Sequence, residues 1–170
     1  MPYPQGIKNP APFLDLVDQV YLLWSAPIAL KSGSTVDEMS AEAGRILDTE
    51  IKPFSDSIKK PLVLALAYPS ARGSSAGCIP NPDGKCLNIE LLSQPNPDIP
   101  TVTLDLDEQV QAYSAMLLAV NSRAWIGGVV SRGYYPPAVL EDKSLSIHGK
   151  PARGLIWYWF PRLLGINVVK

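Results

Sequence analysis

Few residue types in this chain could do chemistry. There is one histidine, His148, in the segment Ser-Ile-His-Gly-Lys-Pro at 146–151. A single imidazole leaves little room for a multi-His metal site, and no G-x-S-x-G element is present to carry a His-based triad. His148 reads as a loop residue that packs or caps. Neither G-x-G-x-x-G nor G-x-x-x-x-G-K-[ST] occurs, so neither a dinucleotide nor a P-loop nucleotide site is supported. No cofactor and no metal are expected. Most carboxylates (Asp37, Glu38, Glu42, Asp48, Glu50, Asp56, Asp105, Asp107, Glu108) read as solvated helix faces and helix starts. The loops hold Asp83, Glu90, Asp98, Glu141 and Asp142. Asp142, which follows Arg-Gly-Tyr-Tyr-Pro-Pro-Ala-Val-Leu-Glu, lies nearest an aromatic cluster. It is the one weak catalytic candidate, against a plainer reading as a turn or capping residue.

Four aromatic residues carry a stronger signal. Trp24, Tyr68, Tyr134 and Tyr135 each lie at or just past the end of an apolar run, with Arg72 and Arg132 in the same loops. Flat rings stack on the C–H faces of a sugar ring, and guanidinium and hydroxyl groups fix its orientation. The competing reading is that the rings plug the end of a core. Cys78 and Cys86 bracket Ile-Pro-Asn-Pro-Asp-Gly-Lys. They are either free thiols of a reducing compartment or a local disulfide, with proline, Asn81 and Gly84 turning the chain back between them. Closing so small a loop is worth roughly 2.5 kcal/mol in the chain-entropy treatment, and the bond implies an oxidising compartment.

The elements that would position these residues alternate. Apolar runs at Val17–Trp24, Leu62–Tyr68 and Ile126–Ser131 read as strands, and the second has no polar alternation, as in a parallel strand buried on both faces. Thr35-x-x-Glu38 is a capping box opening a helix whose stripe is Val36, Met39, Ala43, Ile46, Leu47, Ile51 and Phe54, with Pro53 ending or kinking it. A second helix starts near Asp105, with a stripe of Val110, Tyr113, Leu117 and Val120. A third starts at Pro151 and is apolar nearly all round through Phe160, so it must be buried on most sides or cover an interface. The order β-α-β-α-β-α implies parallel strands joined by right-handed crossovers. Long Pro- and Gly-rich loops follow the strands and short ones precede them, and ligand sites in such folds form at the carboxyl ends of strands.

Composition bounds the rest. The 170 residues suit one domain, and 46% hydrophobic with 18% charged residues is enough for a core and too uncharged for disorder. Lys+Arg is 15 and Asp+Glu is 16, so there is no basic excess to hold nucleic acid. No apolar run nears the ~20 residues of a membrane span, and the first residues contain no signal-peptide core. The 17 prolines are about twice the ordinary share and point to long ordered loops.

Three segments, Lys-Lys-Pro-Leu-Val-Leu-Ala-Leu-Ala-Tyr-Pro-Ser at 59–70, the run from Asp105 to Pro137 with Gln109-x-x-x-Tyr113 and Trp125-Ile126-Gly127-Gly128, and Gly149-Lys150-Pro151-Ala152, together resemble the carboxyl-terminal half of a (β/α)8 glycoside hydrolase. The chain is most similar to family 113 β-mannanase-type retaining glycosidases. The resemblance implies an α/β fold made of three βα units, six to eight, of a TIM barrel, occupying residues 1–170 as a single incomplete domain with an irregular segment at 1–12. It implies an oligo- or polysaccharide partner, with Trp24, Tyr68, Arg72, Arg132, Tyr134 and Tyr135 lining the sugar cleft. It also places the family's nucleophilic Glu at Ala65, which cannot form a glycosyl-enzyme bond, and puts the acid/base partner in a strand this chain lacks. Retaining hydrolysis needs two carboxyls about 5–5.5 Å apart, so catalysis by this chain alone is not expected. A barrel takes about 250 residues, so the chain is expected to be part of a longer extracellular or periplasmic protein, paired with the missing amino-terminal half of the barrel or with itself. The alternative is a non-catalytic surface or scaffold protein that binds a protein partner through the helix at 151–164, with Trp157, Trp159 and Phe160.

Overall fold

The computed structural model describes residues 11–95, 99–136 and 138–166. Most of the irregular segment expected at 1–12, and Asp98, lie outside the described residues. Three strands form one sheet in chain order: β1 (Val20–Trp24), β2 (Leu62–Leu66) and β3 (Gly128–Ser131). Both pairings are parallel, with Leu23 opposite Ala65 and Ala65 opposite Val130. The strands are shorter than the apolar runs suggest. β1 begins at Val20 because that residue is the first to face a partner, Leu62. Val17–Gln19, Ala67–Tyr68 and Ile126–Gly127 are connections, not strand.

The helices are α1 (Val36–Ile46), α2 (Lys52–Ile58), α3 (Leu106–Asn121) and α4 (Ala152–Leu163). Thr35 caps α1 through the expected box: its hydroxyl accepts from the Glu38 N–H at 3.2 Å, and Glu38 accepts from the Thr35 N–H at 2.8 Å. Pro53 does not end this helical path. A wide π turn at Leu47–Ile51 absorbs the mismatch, so that Pro53 falls in the first turn of α2, where a missing N–H costs little. The path then closes at Lys59, which takes a left-handed conformation at φ 51°.

One face of the sheet carries the core. Leu62, Leu64 and Leu66 are fully buried against α1 and α3, with Leu22 and Trp24 beside them. Burying each such side chain contributes about 1.5–3 kcal/mol, so β2 anchors the domain. The opposite face carries the rows Tyr21–Val63–Gly128 and Leu23–Ala65–Val130. Among the described residues, no helix packs on that face through the main core, and Tyr21 is exposed there.

The connection after β2, residues 67–105, builds a small second core from Ala71, Ile79, Leu92 and Val102. Cys78 and Cys86 close it with a disulfide, Cα atoms 4.8 Å apart, so the free-thiol alternative does not apply. Hydrogen bonds knit the loops that follow the strands. Ile28 and Ala29 donate to the Ser75 carbonyl, Ser70 to that of Ser144, and Leu145 to that of Leu92. Among the described residues, no helix is long and apolar enough to cross a membrane.

Candidate functional site

The carboxyl ends of the three strands and the loops beyond them gather the candidate residues, but in separate places. Trp24 and Tyr68 have no accessible surface. The Trp24 indole N–H donates to the Tyr68 hydroxyl at 3.0 Å, and that hydroxyl donates to the Ala26 carbonyl at 2.8 Å. Burial pushes the Tyr68 phenol well above its ordinary value. The Gln109 amide donates to the Tyr68 carbonyl from α3 at 2.9 Å. The expectation that these two rings line a cleft is therefore corrected. Each polar tip finds a partner within the protein, so both rings serve as the floor of the strand ends.

Arg72 projects to solvent elsewhere. Its guanidinium lies 3.9 Å from Asp105, the residue that caps α3 by accepting from the Glu108 N–H. It borders a polar hollow of about 520 Å³ with Lys31, Ser75 and Glu108. Glu108 does more than the helix start predicted for it. Its carboxylate accepts from the Gly73 and Ser75 N–H groups, both at 2.8 Å, and from the Ser75 hydroxyl at 2.6 Å, pinning the loop after β2 to α3. Gly73 must be glycine there: at φ +88° a Cβ would fall 2.1 Å from the Cys78 carbonyl oxygen.

Beyond β3 the arrangement is open. Tyr134 is exposed and stacks on His148, ring centres 4.4 Å apart and tilted by 31°. The His148 Nδ1 meets the Tyr135 carbonyl at 2.9 Å, and the Tyr135 N–H donates to the Ser146 hydroxyl at 3.3 Å. Half-exposed Arg132 lies 3.6 Å from Glu90. Ion pairs this exposed contribute about 0–1 kcal/mol, so Arg132 is not tied down. His148, read from sequence only as a packing residue, belongs to this cluster. The Tyr134–Tyr135 pair gives no clue to it in the sequence, because an irregular loop separates the two tyrosines from His148.

Asp142 is buried and sits in a closed polar network. It pairs with Lys150 at 2.9 Å and accepts from the Ser144 N–H at 3.0 Å and the Ser144 hydroxyl at 2.6 Å. The Lys150 ammonium also donates to the Ser70 hydroxyl at 2.8 Å and the Ser144 carbonyl at 3.1 Å. Burial alone would raise the Asp142 carboxyl. The hydrogen bonds from Ser144 and Lys150 and the Lys150 charge outweigh it and hold the group below its ordinary range. Burial moves Lys150 down. The plainer reading of Asp142, as a turn residue, fits this geometry better than the catalytic one. The network joins the loops after β2 and β3.

The row that contains Ala65 is apolar on both sides, with Leu23 and Val130 as its neighbours. Among the described residues, no group of three or more His, Cys, Asp or Glu could hold a metal ion.

No family model and no curated protein matches the sequence. Solved structures do. The GH113 β-mannanase of Alicyclobacillus acidocaldarius in complex with ManMIm aligns at a TM-score of 0.55 and 23% identity, over 89% of this chain and 41% of its own. Two structures of GH113 β-1,4-mannanase align at 0.54 and 0.53, each at 21% identity over 88% of this chain and 40% of theirs. The chain shares its fold with part of the GH113 β-mannanases. It spans about two fifths of their length: 41% and 40%. In that frame the three parallel strands and their helices are consecutive units of a TIM-type barrel, as the segments around Tyr68, Trp125 and Lys150 imply.

Proposed function

We propose that the chain is the carbohydrate-binding, carboxyl-terminal part of a glycoside-hydrolase-like barrel and is not catalytic by itself. The observation that carries this reading is the Tyr134–His148 stack at the end of β3, half open to solvent, on a fold shared with β-mannanases. An exposed ring fixed by a second ring costs little side-chain entropy to present, and Arg132 and Tyr135 beside it offer directional polar contacts. Ala65 supports the non-catalytic part: an alanine flanked by Leu23 and Val130 offers neither a nucleophile nor a proton. Arg72 would contact a sugar only if the ligand extended across to the hollow at the start of α3. The disulfide supports an extracellular or periplasmic setting for the whole protein.

The test is affinity electrophoresis and calorimetry against soluble β-1,4-mannan and a panel of other glycans, with Tyr134→Ala alongside. At least one glycan is expected to bind, with about a tenfold or greater loss in the variant, as for removal of one stacking anchor. Binding to no glycan, or binding that ignores Tyr134→Ala, would sink the reading. The second reading is a scaffold that holds a protein partner on α4. It draws on Trp157, which is 80% exposed, and it predicts no response to any sugar.

A further inference from the structure

We propose that Ser146 is a positioning residue for the Tyr134–His148 platform: it holds the Tyr135 backbone so that His148 keeps its proton on Nδ1 and presents an unprotonated Nε2 as the acceptor for a ligand hydroxyl. This deepens the carbohydrate reading and rests on it for the nature of the ligand.

The tautomer follows from the partner. The His148 Nδ1 meets the Tyr135 carbonyl at 2.9 Å. A carbonyl oxygen can only accept, so Nδ1 carries the hydrogen and the lone pair of the neutral ring is on Nε2. Among the described residues Nε2 has no hydrogen-bond partner, and it is open to solvent, since the buried side-chain atoms left without a partner are the Ser74 Oγ and the Gln109 Oε1. The ring that carries it stacks on exposed Tyr134. A lone pair at the edge of a stacking surface is a directional contact for a sugar hydroxyl.

A ladder with a rung at every second residue holds the Tyr135 carbonyl in place. Asp142 accepts from the Ser144 N–H at 3.0 Å, the Ser144 hydroxyl oxygen from the Ser146 N–H at 3.1 Å, and the Ser146 hydroxyl oxygen from the His148 N–H at 3.3 Å. Each rung is a side chain bonding the backbone two residues on, a habit of Asp and Ser in turns. The foot of the ladder is the buried Asp142–Lys150 pair. Its top crosses to the neighbouring loop, where the same Ser146 oxygen accepts from the Tyr135 N–H at 3.3 Å. One hydroxyl therefore holds the backbone of both residues that form the His148–Tyr135 bond. Gly133 lets the two segments close: at φ +98° a Cβ there would lie 3.2 Å from the Ser146 nitrogen. Ser144 and Ser146 are buried, so water does not compete for these bonds. Ser146 acts through His148 and need not touch the ligand.

The experiment labels the chain with nitrogen-15 histidine. His148 is its single histidine, so the spectrum holds one pair of ring nitrogens. Long-range proton–nitrogen correlation in mildly alkaline buffer, where the ring is neutral, reads the tautomer. The expected result is the Nδ1–H form in the unsubstituted chain, a mixture of both forms in Ser146→Ala, and the Nδ1–H form again in Ser146→Thr, which restores the hydroxyl. The Nε2–H form as the main one in the unsubstituted chain overturns the proposal, and so does an Nδ1–H form that survives Ser146→Ala unchanged. Ser144→Ala, one rung lower, makes the same comparison should Ser146→Ala fail to fold. His148→Phe keeps a ring against Tyr134 and removes the acceptor. By calorimetry with a glycan that the unsubstituted chain binds, it is expected to lose about three- to tenfold in affinity, as for one hydrogen bond. Undiminished binding overturns the acceptor role. If no glycan binds, the carbohydrate reading falls, and the nitrogen spectra still uphold or overturn Ser146 as the residue that sets the tautomer.

Discussion

Two pairs of large aromatics sit near the carboxyl ends of this sheet and meet opposite fates. Trp24 and Tyr68, at the ends of β1 and β2, have no accessible surface, and their polar tips bond to each other and to the Ala26 carbonyl. Tyr134 and Trp157, beyond β3, are 55% and 80% exposed. Residue type does not explain the contrast. The first pair lies under α1 and α3, with a neighbouring unit on each side of β2. The second pair belongs to the unit of β3, which among the described residues has a strand neighbour on one side alone. Burial here follows a unit's place in the repeat, and an aromatic is core or rim according to what stands beside it.

The contrast can be broken most easily at its buried side. Trp24→Ala is expected to destabilise the chain by about 3–5 kcal/mol, through a cavity and the loss of the donor to the Tyr68 hydroxyl. Urea unfolding followed by circular dichroism measures it, and a loss under about 1 kcal/mol would mean that the strand ends are not a packed floor. A smaller effect sharpens the comparison at the network joining the two loops. Because the Asp142 carboxyl is held below its ordinary value of 3.8 in the folded chain, it contributes stability above that pH. That contribution is lost as the pH falls through the depressed folded value. Asp142→Asn is expected to cost about 1.5–3 kcal/mol at neutral pH and to flatten this part of the acid dependence, read from urea midpoints between about pH 2 and 6. An unchanged acid profile in the variant would remove Asp142 as its source. The smallest effect belongs to the open side. Trp157→Ala is expected to shift the stability of residues 1–170 by no more than about 0.5 kcal/mol, and a larger loss would show that the rim is already core.

Much of the fold was legible because local and global signals agree. The uninterrupted apolar run at Leu62–Tyr68 reads as a strand covered on both sides, and its first five residues, Leu62–Leu66, form the centre of the sheet. The Thr35 box, the Asp105 cap and the Cys78–Cys86 loop are short-range patterns whose physics is complete within a few residues. Strand ends were less legible, since pairing partners rather than hydrophobicity decide where Val20 and Gly128 begin to count as strand. The π turn that carries the chain past Pro53 leaves no periodic trace. The site was legible only in part. Aromatics near strand ends can be counted from sequence, but whether Trp24 or Tyr134 faces solvent depends on helices distant in the chain. The pairing of Asp142 with Lys150 has no signature either, because a lone buried ion pair has no spacing rule.

The row Leu23–Ala65–Val130 has a consequence for depth. Beneath the rim, the side of the sheet turned away from the helices offers hydrocarbon along this row. Anything polyhydroxylated that settles on Tyr134 would have to lie flat across the top, since sinking further would strip water from its hydroxyls and give nothing back. A glutamate placed at position 65 would set a charge between the aliphatic side chains of Leu23 and Val130, where nothing in the row would repay its lost hydration.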